Sequence, residues 1–129
     1  QDMVNGGGPY KLWFVTYLTN VFQPLLRRLP DARPLWGLLG RETEAGREEY
    51  ARELEATVKA LQCHPCVGCW VPFNEGWGQF DAAGAVEAVR RLDDTRLVDE
   101  ASGWYDQGGG DVDSLHNYFY PLRVRPRSR

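Results

Sequence analysis

Apolar and polar positions along the chain alternate between helical stripes and short continuous runs. Between Tyr10 and Leu29, residues Trp13, Phe14, Tyr17, Leu18, Val21, Phe22, Leu25 and Leu26 recur at helical spacing, which predicts a helix. Pro24 kinks or divides it, and Pro30 closes it. Asp31 to Gly40 reads as a loop. Arg41 to Leu61 gives the clearest helix, with Tyr50, Leu54, Val58 and Leu61 on one stripe. Glu44, Glu48, Glu49, Glu53 and Glu55 cover the remainder as a charged outer face, and Lys59 near the end suits the helix dipole. Gln62-Cys63-His64-Pro65 is a turn, because Pro65 biases His64 to an extended state.

The next run, Cys66 to Phe73, is apolar almost throughout and ends abruptly in Asn74-Glu75-Gly76-Trp77-Gly78. A parallel strand delivering polar groups to the rim of its sheet has this form. Phe80 to Leu92 returns to helical spacing, with Phe80, Ala83, Val86, Val89 and Leu92 inward and Asp81 in the first turn. Asp93-Asp94-Thr95 is a turn, and Arg96 to Trp104 reads as a second strand. A glycine-rich loop, Tyr105 to Asp111, leads to a further short strand over Asp113 to Phe119, which Pro121 breaks. Roughly 30 residues separate the first two strand starts, the length of one βαβ unit. The predicted class is α/β, with candidate chemistry at the strand rim.

Composition narrows the choices. The chain has 129 residues, 43% of them apolar, enough for one modest domain with a core. Aromatic residues make up 12%, which suits either a core or a sugar-stacking surface. A net charge of -3 gives no basis for expecting nucleic acid or an anionic membrane as partner. No stretch reaches the length of a membrane span. The basic tail from Arg123 to Arg129 reads as a solvated end. The chain opens on Gln1 rather than Met, so it reads as a processed product or an internal piece, and its compartment is unknown.

Cys63, Cys66 and Cys69 with His64 raise the question of zinc. Cys63 and His64 are adjacent, and Cys66 and Cys69 would point to opposite faces of a strand. The cysteines are therefore expected to be small buried hydrophobes, with neither metal nor organic cofactor.

Glu75 is the strongest candidate for chemistry. It follows an apolar run, sits beside Asn74 and lies between Trp70 and Trp77. Aromatic, partly buried surroundings favour the neutral form of a carboxyl group, which can then donate its proton to a leaving group. Asn74 offers a donor and an acceptor to a hydroxyl, and Trp77 offers a face to a sugar ring. These features suggest glycosidic chemistry, which needs a second carboxylate. Asp2, Asp99, Glu100 and Asp113 are the candidates within the chain, and none has a comparable setting. The plainer reading of Asn74-Glu75 is a strand cap at a turn.

His64-Pro65 followed by Trp70-Val71-Pro72-Phe73-Asn74-Glu75-Gly76-Trp77-Gly78 resembles the catalytic barrel of glycoside hydrolase family 2, which includes β-galactosidases, β-glucuronidases and β-mannosidases. The resemblance implies a partial (β/α)8 TIM barrel, from the end of strand three at Gln1-Asp2-Met3 through strand six. Cys66 to Glu75 would be strand four, Leu97 to Trp104 strand five, and Ser114 to Tyr118 strand six. It implies that Glu75 is the general acid/base of a retaining β-glycosidase and that Asn74 contacts the sugar 2-hydroxyl. Asp2 would be a sugar-contacting acid, and Tyr118 would hydrogen-bond the nucleophile. Trp77, Trp104 and His116 would line the pocket.

The chain departs from the family pattern in ending near strand six. The nucleophile, a glutamate on strand seven in the family, would lie outside it. So would the remainder of the barrel and the N-terminal β-sandwich domains that usually accompany it. The whole of residues 1–129 then reads as one incomplete glycosidase domain, inactive alone, whose partner is a carbohydrate substrate. The other reading is a non-catalytic carbohydrate-binding module with Trp70, Trp77 and Trp104 as its platform.

Overall fold

A computed structural model of the chain describes residues 22, 28–36, 43–76, 78–117 and 121. Helix α1 spans Glu44–Leu61, strand β1 Cys69–Trp70, helix α2 Ala82–Leu92 and strand β2 Leu97–Val98. Short 3₁₀ turns occupy Arg33–Leu35 and Asn74–Gly76. The predicted helix over Tyr10 to Leu29 falls mostly outside the described residues.

Helix α1 starts at Glu44, later than the expected Arg41. Thr43 is the N-cap, and its hydroxyl accepts from the Gly46 amide at 3.2 Å, satisfying one of the orphan donors of the first turn. Tyr50, Leu54 and Val58 are buried, while the glutamates of the outer face are exposed, as the periodicity requires. Helix α2 likewise begins two residues after Phe80. Asp81 is its N-cap in a left-handed conformation (φ 42°, ψ 51°), accepting from the Gly84 amide.

β1 and β2 are parallel neighbours, with Cys69 opposite Leu97 and Trp70 opposite Val98. With α2 between them they form one βαβ unit. The strands are much shorter than their apolar runs. Ladder bonding continues one step further, where the Asp99 amide donates to Trp70 O at 2.9 Å. Alternate residues of a strand bond to opposite sides, so Val98 faces away from β1. There the Asp111 amide donates to Val98 O at 2.8 Å, and the Val98 amide donates to Asp111 Oδ2 at 2.9 Å. The segment that follows therefore lies beyond β2, in sequential order. The expected strand over Asp113 to Phe119 is not formed across 113–117, and residues 118–119 lie outside the described ones. The Asp111 carboxylate takes the place of the backbone carbonyl that would have begun its ladder.

Both helices pack on one face of the sheet. Tyr50, Leu54 and Val58 of α1 meet Ala82, Val86 and Val89 of α2, and Trp70, Phe73, Val98 and Ala101 close the core. Tyr50 stacks on Phe73 with centroids 4.9 Å apart, and Phe80 sets its edge against both rings. The Tyr50 hydroxyl donates to Pro72 O, which pins α1 to the end of the strand run. On the opposite face Leu97 is 55% exposed and Cys69 half-buried.

Cys63 and Cys66 are exposed, against the expectation that they are buried hydrophobes. The chain turns twice after Leu61, through His64 N to Leu61 O and Val67 N to His64 O, so both cysteines precede the strand. His64 holds this entry through its backbone carbonyl, while the residue itself is exposed. Among the described residues, no three His, Cys, Asp or Glu side chains gather as metal ligands would.

A buried ion pair fixes the lower end of the unit. Asp93 accepts from Trp70 Nε1 (2.8 Å), Thr95 N (3.1 Å), Thr95 Oγ1 (2.6 Å) and Arg96 Nη1 (2.6 Å). Burial alone would raise its pKa, but the Thr95, Trp70 and Arg96 hydrogen bonds outweigh burial and hold the carboxyl well below the usual carboxylate range. Arg96 spends its other donors on the carbonyls of Val67, Gln62 and His64.

Candidate active site

Three chain segments end side by side at the carboxyl ends of β1 and β2. The first carries Asn74 and Glu75, the second Ser102 to Tyr105, the third Ser114 to Asn117. Glu75 sits at φ 52° and ψ 27°, a left-handed conformation rare for a residue with a Cβ. Such a backbone costs about 1–3 kcal/mol and persists where the surroundings impose it. It re-aims the side chain as the chain leaves the apolar run.

Glu75 Oε1 lies 3.3 Å from His116 Nε2, with the two side chains 22% and 25% exposed. His116 Nδ1 lies 3.2 Å from Ser102 O. A carbonyl oxygen only accepts, so Nδ1 carries a hydrogen. Nε2 faces the Glu75 carboxyl group, and the two form an ion pair only when the imidazole is protonated.

Trp104 packs behind this pair, its ring centroid 6.3 Å from that of His116 and 6.2 Å from that of Tyr105. It is 1% exposed, and its Nε1–H is buried with no hydrogen-bond acceptor among the described residues. Trp70 is also buried, its Nε1 committed to Asp93. Neither indole offers an open ring face. Asn74 is half-buried beside Glu75. Asp2, Trp77 and Tyr118, the other expected site residues, lie outside the described residues.

Asp99 and Glu100, candidates for a second carboxylate just past β2, are engaged elsewhere. Asp99 Oδ1 accepts from Ser102 N at 3.2 Å and Ser114 Oγ at 2.8 Å, which ties the second segment to the third. Glu100 is 2% exposed and accepts from the Gly109 amide at 2.9 Å. Burial pushes its carboxyl up, the Gly109 hydrogen bond works against this, and the nearby Asp106 carboxylate pushes it up again. Asp113 is exposed.

Two residues essential to this geometry carried little chemical signal in the sequence. Ser102 (φ 53°) supplies the carbonyl that sets the His116 tautomer. Gly103 (φ 82°) lets the third segment approach, since a Cβ there would lie 2.5 Å from His116 N. The Ser-Gly dipeptide is a turn signal, but its use as a support for a histidine is visible only in three dimensions.

The chain matches no family model and no curated protein.

Proposed function

We propose that this chain is the central part of the catalytic barrel of a retaining β-glycosidase of the family 2 type, with Glu75 as general acid/base. The observation that carries the reading is the Glu75–His116 pair, a carboxyl group 3.3 Å from an imidazole at a strand rim, on a left-handed backbone. A general acid for glycoside cleavage must deliver a proton and later recover one from water, and a neighbouring imidazole can orient the carboxyl group that does so.

In the first step Glu75 protonates the glycosidic oxygen while a carboxylate outside this chain attacks C1. In the second Glu75 removes a proton from water, which displaces that carboxylate. His116 holds the carboxyl in place between the steps, with Ser102 O fixing its ring. By the resemblance, Asn74 binds the 2-hydroxyl, and Asp2, Trp77 and Tyr118 complete the pocket. Two further observations support an incomplete barrel. Leu97 projects from a parallel strand at 55% exposure, although parallel sheets normally bury both faces. The buried Trp104 Nε1–H has no acceptor among the described residues, as the wall of an unfinished pocket would. A binding platform is less well supported, because Trp70 and Trp104 are both covered.

Glu75→Gln, made in a polypeptide that supplies the rest of the barrel, tests the assignment. Hydrolysis of glycosides with poor leaving groups should fall by about 10²–10⁴ in kcat/KM. Aryl glycosides with acidic leaving groups should still form the glycosyl-enzyme, and azide should restore their turnover as a glycosyl azide. Unchanged kcat/KM on the poor substrates, or no rescue by azide, would refute the role.

A further inference from the structure

The turn between α1 and β1 presents a dithiol. Cys63 and Cys66 are both exposed, with only His64 and Pro65 between them. Two successive reversals shape the segment, closed by His64 N to Leu61 O (3.0 Å) and Val67 N to His64 O (3.2 Å). Each cysteine is the third residue of its turn. Arg96 fixes the carbonyls around them, donating to Gln62 O (2.7 Å), His64 O (3.2 Å) and Val67 O (2.7 Å). The guanidinium is itself anchored on buried Asp93, so the loop rests on a rigid base.

We propose that Cys63 and Cys66 form a reversible dithiol–disulfide site that exchanges with small-molecule disulfides. The proposal is independent of the glycosidase reading. A disulfide needs Cα atoms within about 7 Å, and these cysteines are three residues apart where the chain reverses twice, the turns closing Leu61 to His64 and His64 to Val67. The Cys63 thiol donates to Ala60 O, so its proton is engaged and Cys66 attacks first. The Cys66 thiolate bonds to one sulfur of the disulfide and releases the other as a thiolate. The Cys63 thiolate then attacks the Cys66 sulfur and releases the second. Two protein thiols are oxidised, one external disulfide is reduced to two thiols, and the protons pass to the departing thiolates. Cys69 stays out of the exchange. It is half-buried at the start of β1, and burial raises its thiol's pKa, leaving less thiolate to react.

The test is to treat the folded chain with glutathione disulfide, cap the remaining thiols with N-ethylmaleimide and map the products by mass spectrometry. The expected product has lost two hydrogens, retains no glutathione and carries maleimide on Cys69 alone. Cys69→Ser should react identically, Cys63→Ser should retain one glutathione on Cys66, and closure should be faster in the folded chain than in urea. Glutathione retained on both Cys63 and Cys66, a bond that depends on Cys69, a disulfide-linked dimer, no reaction, or closure no faster than in urea would each overturn the proposal.

Discussion

Removing the Asp93 carboxylate should be the most damaging single change outside the aromatic core. Asp93→Ala deletes the acceptor for four hydrogen bonds, from Trp70 Nε1, Thr95 N, Thr95 Oγ1 and Arg96 Nη1. Trp70 is 2% exposed, so its indole N–H is left with no access to water. The Arg96 side chain is 16% exposed and keeps its three carbonyl partners, which softens its loss. Breaking a buried pair from one side costs about 3–5 kcal/mol, and four hydrogen bonds at roughly 1 kcal/mol each give the same range. For a chain of this size that lowers Tm by about 10–20 °C.

The same residue sets an acid limb of the stability curve. The folded Asp93 carboxyl titrates well below the usual range, so it stays ionised where the unfolded one has already taken up a proton. Its contribution is complete above about pH 4 and is lost as the pH falls below that. Thermal unfolding followed by circular dichroism from pH 7 down to pH 2, for parent and variant, measures both effects. The variant should be less stable at pH 7 and lose less than the parent on acidification. A loss under about 1 kcal/mol at pH 7 would show that the network contributes little net stability. A variant acid limb as steep as the parent's would show that another group causes it.

Glu100→Gln should act with the opposite sign. Burial and Asp106 raise the folded pKa of Glu100, so its contribution is present at low pH and lost as the pH rises through the folded value. The amide keeps an acceptor for the Gly109 N–H and removes the like charge, so the variant should gain stability at pH 7 to 8 and flatten that limb in the same melts. Gly103→Ala should cost at least 2 kcal/mol in denaturant titrations, about 1 kcal/mol from the positive φ and the rest from the clash with His116 N. The displaced third segment should also separate His116 from Glu75, visible as a change in the His116 ring NMR signals. Unchanged signals would mean that the histidine is not held through this approach.

The order helix, strand, helix, strand from Glu44 to Val98 was legible in the residues alone, while the third strand expected after it was not formed across 113–117. The stripe Tyr50, Leu54, Val58 specifies which face of α1 is buried, and Pro65 specifies where the chain stops being helical. Both effects are local, a matter of spacing and backbone sterics. The abrupt change from an apolar run to Asn74-Glu75 marked the rim for the same reason. Strand lengths were not legible. The apolar runs are several residues longer than the ladders, because a ladder depends on what lies alongside it, and beyond β2 the Asp111 carboxylate stands where a third ladder would begin. The fate of the cysteines was hidden too, since it turned on where two reversals placed them. Only the folded chain brings His116 to Glu75 and sets its tautomer with Ser102 O. Those partners are far apart in sequence, and a hydrogen bond is decided by distance in space, which no local pattern encodes.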